Sequence, residues 1–174
     1  TPVNDAPALT VTNPADILEG GTVAIDASVL AGTDADDAAS DITYTASNIT
    51  NGQLELTSAP GTAITTFTQE DVDNGLVIFI HDGSNTLSAS FDVSLADGGE
   101  DGASAATGTV TIGITPVDDA PVLDTISDQE IDEDGTLVLT LSAFDVEGDA
   151  LTYSAVDGDT QLIISDDQLT VIPT

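Results

Sequence analysis

A chain of 174 residues with 32 Asp and Glu, no Lys, no Arg and a single His cannot build a network of ordinary ion pairs. That restricts what it can fold into more than any other feature. Each carboxylate must be solvated, protonated or neutralised by a bound cation, because an unpaired buried charge is strongly disfavoured. A formal charge of −32 excludes nucleic acid and anionic membrane surfaces as partners by repulsion. Hard divalent cations prefer oxygen ligands, so calcium is the expected partner outside cells. The other reading is a salt-adapted surface whose acids only keep the chain in solution, so what matters is which acids stand at ligand spacing. Cysteine is absent, which removes disulfides and thiolate metal sites and leaves a bound metal as the remaining staple.

The chain is 40% hydrophobic, enough to build a core, so low-complexity disorder is a poor reading despite the charge. Aromatics make up only 3% and Trp is absent, so Val, Ile, Leu and Ala are expected to fill that core. No apolar run is long enough to span a bilayer. The first residues carry no basic segment of the signal-peptide kind, which predicts an internal piece of a longer secreted chain.

One segment occurs twice. Thr1-Pro2-Val3-Asn4-Asp5-Ala6-Pro7 returns as Thr115-Pro116-Val117-Asp118-Asp119-Ala120-Pro121, a period of about 114 residues that suits one β-sandwich and its linker. Glu19-Gly20-Gly21-Thr22 falls on Glu133-Asp134-Gly135-Thr136 at the same offset, and Ile42-Thr43-Tyr44 resembles Leu151-Thr152-Tyr153 at a shorter one. The division is therefore 1–117, a complete repeat, and 118–174, the opening half of a second. Residues 22–26, 53–57, 90–95 and 109–114 alternate apolar with polar in the first, and 136–141, 151–154 and 168–172 in the second. Such alternation means half-buried strands. The separators Asn51-Gly52, Pro60-Gly61, Asp82-Gly83-Ser84 and Asp97-Gly98 are turn formers. Only 68–72 has a capping-box flavour, and it is too short for more than a turn. The fold class is all-β: Ig-like or cadherin-like sandwiches in tandem, the second truncated and expected to expose core surface or borrow a strand.

Three groups of acids stand at ligand spacing. Asp145, Glu147 and Asp149 alternate around Gly148, and Glu133 could lie beside that turn, which is how loops gather the oxygens calcium takes. Asp118 and Asp119 stand before a rigid Ala-Pro step in the linker, as Asn4 and Asp5 do in the first copy. Asp34 and Asp36, with Glu19 nearby, occupy the equivalent place in the first repeat but lack a glycine turn. Solvated acidic turns are the plainer account of each group. His81-Asp82 invites a catalytic reading, but no nucleophile arrangement accompanies it, and a structural histidine bonded to a turn carbonyl is expected. A glycosidase pair would need aromatic sugar platforms that two Tyr and four Phe hardly supply. The chain is not expected to be an enzyme.

The first repeat resembles the chondroitin-sulfate-proteoglycan-type (CSPG) repeats, relatives of cadherin domains. The residues that carry the likeness are Leu18-Glu19-Gly20-Gly21, Asn51-Gly52-Gln53-Leu54, Phe67-Thr68-Gln69-Glu70-Asp71-Val72 and His81-Asp82-Gly83-Ser84. The second resembles bacterial cadherin-like domains through Asp145-Val146-Glu147-Gly148-Asp149, and the linker resembles the Val-Asn-Asp-Ala-Pro joints of RTX-type surface adhesins. The resemblance implies a calcium-stiffened extender of a large secreted bacterial surface adhesin, exposed at the cell surface. Its partners would be calcium and neighbouring repeats, with a carbohydrate or host-surface ligand elsewhere in the parent protein. A carbohydrate-binding module of a polysaccharide-acting enzyme is the alternative.

Overall fold

The structure is a computed structural model, described over residues 5–98, 105–132, 135–156 and 161–172. The chain divides into two compact units, Thr1–Val117 and Asp118–Thr174.

In the first unit the strands are β1 (Ala8–Val11), β2 (Ile17–Leu18), β3 (Thr22–Ala24), β4 (Leu30–Thr33), β5 (Thr43–Thr50), β6 (Gly52–Leu56), β7 (Ala63–Ile64), β8 (Thr66–Thr68), β9 (Val77–His81), β10 (Ser88–Ala96) and β11 (Ala106–Thr115). They form a five-stranded sheet of order β2-β11-β10-β5-β8, a four-stranded sheet of order β3-β9-β6-β7, and the antiparallel pair β1-β4. Alternation does the sorting, since successive side chains point to opposite faces. Along β10, Ala89, Phe91, Val93 and Leu95 are buried while the intervening Ser90, Asp92 and Ser94 are partly exposed. Tyr44 stacks on Phe67 at 5.1 Å and Phe79 on Phe91 at 6.0 Å between ring centroids. The few aromatics thus sit at the centre of the core, with Ile25, Leu30, Leu54, Val110 and Ile112 around them. This corrects the expectation of an interior filled by Val, Ile, Leu and Ala: four of the six aromatic side chains lie in the core.

The capping box at 68–72 is real and starts a short helix, α1 (Gln69–Asp73). Thr68 Oγ1 accepts from the Asp71 N–H, and Asp71 Oδ2 accepts from the Thr68 N–H. The helix turns Gln69 inward. Its Oε1 accepts from the Gly32 N–H at 2.7 Å and the Tyr44 hydroxyl at 2.5 Å, while Nε2 donates to Asp73 Oδ1. Burial and the nearby Asp73 carboxylate hold the Tyr44 phenol well above its ordinary titration range. Gly32 is needed beneath this knot, because a Cβ there would stand 2.9 Å from both Leu95 Cδ2 and the Tyr44 oxygen. Gln69→Ala leaves two buried donors without an acceptor. It is expected to destabilise the first unit by about 2–3 kcal/mol in urea unfolding, with little change in m-value.

In the second unit the strands are β12 (Val122–Leu123), β13 (Leu137–Thr140), β14 (Ala143–Phe144), β15 (Gln161–Ser165) and β16 (Gln168–Ile172). The pair β12-β14 repeats β1-β4, and the sheet β13-β16-β15 repeats the order β3-β9-β6. Residues 151–154, expected as a strand, are unpaired here. Their counterpart β5 gains its ladder from β10 and β8, and the described second unit has no counterpart of either. Tyr153 is accordingly half-buried, unlike Tyr44, and does not belong to a closed core. Among the described residues of this unit, Val122, Phe144 and Val138 are 67%, 66% and 52% exposed.

Candidate metal centres in two acidic turns

The strand pair that opens each unit also positions its acids. In the first unit Ala8 lies opposite Thr33, and continuing that antiparallel register three residues past the strand ends sets Asp5 opposite Asp36. In the second, Val122 lies opposite Phe144, and the same continuation sets Asp119 opposite Glu147. The hydrogen bonds follow the register. The Asp5 N–H donates to Asp36 Oδ1 at 3.3 Å, and the Asp119 N–H donates to Glu147 Oε2 at 3.2 Å.

The turns themselves are built alike. Asp34 Oδ1 accepts from the N–H groups of Asp36 and Asp37 at 3.0 and 3.2 Å. Asp145 Oδ1 accepts from those of Glu147 and Asp149 at 3.1 and 3.0 Å. Short polar side chains close turns in this way by imitating a backbone carbonyl. Gly148, at φ +81°, supplies the left-handed residue that lets Asp149 reach back. The first turn needs no glycine because it closes one residue earlier, on Asp37.

Asp34, Asp36 and Asp37 each place a carboxylate oxygen within 4.8 Å of the others. Asp34 Oδ2 is buried and meets no hydrogen-bond donor among the described residues. A side-chain hydrogen bond with Asp34 pushes the Asp36 carboxyl up, while the Asp36 N–H, the largest influence on Asp34, holds that carboxyl down. In the second unit, Asp118, Asp119, Asp145 and Asp149 line a groove of about 250 Å³ with Pro121 and Ala150–Thr152. Asp145 is only 7% exposed. The Asp149 charge, then a hydrogen bond with Asp149, pushes the Asp118 carboxyl up, with Asp145 and Glu147 adding to it. Like charges a few ångströms apart resist joint ionisation. Both turns are therefore places where a hard cation relieves repulsion, and the donors, all oxygen, fit calcium.

Of the residues singled out in the sequence, Asp34 and Asp36 come together with Asp37, and Asp118, Asp119, Asp145, Glu147 and Asp149 come together around the second turn. Glu133 lies outside the described residues. Glu19 stands elsewhere in the first unit, its Oε2 accepting from the Val117 N–H at 3.4 Å. Asp37, the last residue of the acidic run Asp34-Ala35-Asp36-Asp37, completes the tighter cluster.

His81 is buried, with Nδ1 accepting from the Gly20 and Gly83 N–H groups at 3.1 and 3.2 Å and Nε2 lying 3.1 Å from Thr86 Oγ1. The ring is structural, as the sequence suggested, but its turn partners are amide N–H groups and not a carbonyl. No described helix is long and apolar enough to cross a membrane.

Stacked sheets of this order, entered by a strand that closes an acidic turn, define a repeat-type β-sandwich module. The chain belongs to the cadherin-like family, whose match covers residues 7–114. It is 43% identical over 98 residues to chondroitin sulfate proteoglycan 4 of Homo sapiens and 42% identical to that of Mus musculus. Each of these matches takes in 56% of this chain and 4% of the proteoglycan, so the chain spans a small fraction of its relatives' length. The crystal structure of human CDH23 EC21-23 aligns with 99% of the chain and 55% of its own length, at 21% identity and a TM-score of 0.47.

Proposed function

We propose that this chain is a stalk segment of a large secreted bacterial surface adhesin, a non-catalytic extender whose repeats are stiffened by calcium at their acidic turns. The observation that carries this reading is the double construction of one device. In each unit the segment entering the sandwich donates an N–H to a carboxylate of the turn, so that filling the turn also fixes the entering segment. Asp34, Asp36 and Asp37 would hold the ion in the first unit, and Asp118, Asp119, Asp145, Glu147 and Asp149 in the second. Calcium accepts six to eight oxygens in adaptable geometry, which suits such loops, whereas magnesium demands a tighter octahedron. The absence of any internal counter-cation supports the same reading, since nothing else in the sequence neutralises these clusters.

Calorimetric titration of the chelator-stripped chain tests it. Saturable calcium binding is expected, with magnesium much weaker. Asp34→Asn with Asp36→Asn should remove one component, and Asp145→Asn with Asp149→Asn the other. Heats that sodium chloride reproduces at matched ionic strength, or that both double variants leave intact, would show the acids to be a solvated surface only.

A further inference from the structure

His81 is the one side chain in the sequence able to become cationic, and its side chain is fully buried. Two amide N–H groups, of Gly20 and Gly83, point at Nδ1, so that nitrogen carries the lone pair and the ring hydrogen sits on Nε2, facing Thr86 Oγ1. The ring thereby ties together the 18–21 turn and the 82–87 loop. Both segments grip the strand by which the chain leaves the first unit. From the turn, Leu18 pairs with Thr115 and the Glu19 N–H donates to the Thr115 carbonyl at 2.9 Å. From the loop, the Leu87 carbonyl accepts from the Ile114 N–H at 3.0 Å.

We propose that His81 is an acid-released latch: on taking a second proton at Nδ1 the ring lets go of Gly20 and Gly83, and the two segments that hold the exit strand come loose. An imidazolium is a donor at both nitrogens and accepts nothing, so it cannot keep either amide bond. The closed latch excludes the second proton and the opened one admits it, so acidification favours opening. The charged groups that face the ring are few. Asp82 Oδ1 lies 3.9 Å from Nε2 but is engaged by the Ser84 N–H and hydroxyl. On the turn, Glu19 is directed to the Val117 N–H. The opposing strand brings Gly52 and Asn51, which are uncharged, and the loop brings Thr86.

Amide hydrogen exchange of the whole chain at pH 7.5 and 5.5, in chelator so that calcium plays no part, reads the latch directly. An ordinary imidazole takes its second proton near about pH 6.5, so one unit below that the protection factors of Gly20 and Gly83 should fall about tenfold relative to core amides. In His81→Asn, whose carboxamide oxygen can accept the same bonds without titrating, the two factors should not change. An equal fall in both proteins would assign the effect to carboxylates and overturn the latch. Should His81→Asn fail to fold, imidazole ¹⁵N shifts of the unaltered chain decide. Loss of the Gly20 and Gly83 amide signals in step with protonation of Nδ1 supports the latch, and their persistence through it, or a hydrogen on Nδ1 at neutral pH, overturns it.

Discussion

Adding millimolar calcium to chelator-treated protein should raise its melting temperature by about 5–15 °C. The expectation rests on two quantities. A ligand that binds only the native state adds RT ln(1 + [L]/Kd), about 2.7 kcal/mol when free ion exceeds Kd a hundredfold. Domains of this size gain several degrees for each kilocalorie. On the proposed reading the gain arises at the two acidic turns. In the metal-free chain the charge of Asp149 pushes the Asp118 carboxyl up, and a hydrogen bond with Asp34 does the same to Asp36. A divalent ion would replace that repulsion with attraction. Asp145→Asn with Asp149→Asn should abolish the part of the rise that belongs to the second unit, and magnesium should do much less than calcium. Differential scanning calorimetry against sodium chloride at equal ionic strength separates a specific site from screening, and a full rise with salt alone would refute the proposal.

Phe91→Ala should lower the melting temperature of the first unit by some 10–20 °C, from a loss of about 3–5 kcal/mol. Phe91 is fully buried and stacks on Phe79 across the two sheets. Removing the ring opens a cavity that Leu, Ile and Val neighbours on stiff strands fill only in part, so transfer and cavity terms add. With no disulfide and no ion pair between strands to compensate, that loss is a large share of the roughly 5–15 kcal/mol typical of whole domains. Thermal denaturation by circular dichroism measures it. A fall under about 3 °C would mean that the cluster is not the centre of the core.

Much of this architecture was legible in the residues. The doubled linker announced tandem units, and strict alternation in 90–95 and 109–114 announced the central strands β10 and β11. What escaped was pairing across distance. Residues 151–154 alternate as well as 42–45 do, yet only the latter form a strand, because a ladder needs a partner and the partner of β5 is β10, far along the chain. The acidic turns were partly legible too. Acids alternating around Gly148 flagged the second turn, and for want of a glycine the first, though it has the Asp-x-Asp spacing, looked weaker. In space the first is the tighter cluster, since Asp34 closes its turn one residue earlier, on Asp37, and needs no left-handed residue. The role of Asp5 and Asp119 depends on strand register, which no local pattern reveals.

The parallel pairing of β2 with β11 also fixes how a pulled chain meets its load. On the proposed stalk reading, tension would reach β1 and its pair with β4 first, then β2, and would leave through the end of β11. In a parallel pair loaded at opposite ends, the strands are driven to slide along one another, so the bonds at Ile17–Ile114 and Leu18–Thr115, with the Glu19 N–H to Thr115, bear the force together and cannot peel away one at a time. Resistance of this kind is set by the barrier to unfolding and not by equilibrium stability. On the stalk reading, this short patch of backbone at the rim of the sandwich would bear part of the tension that passes through the unit.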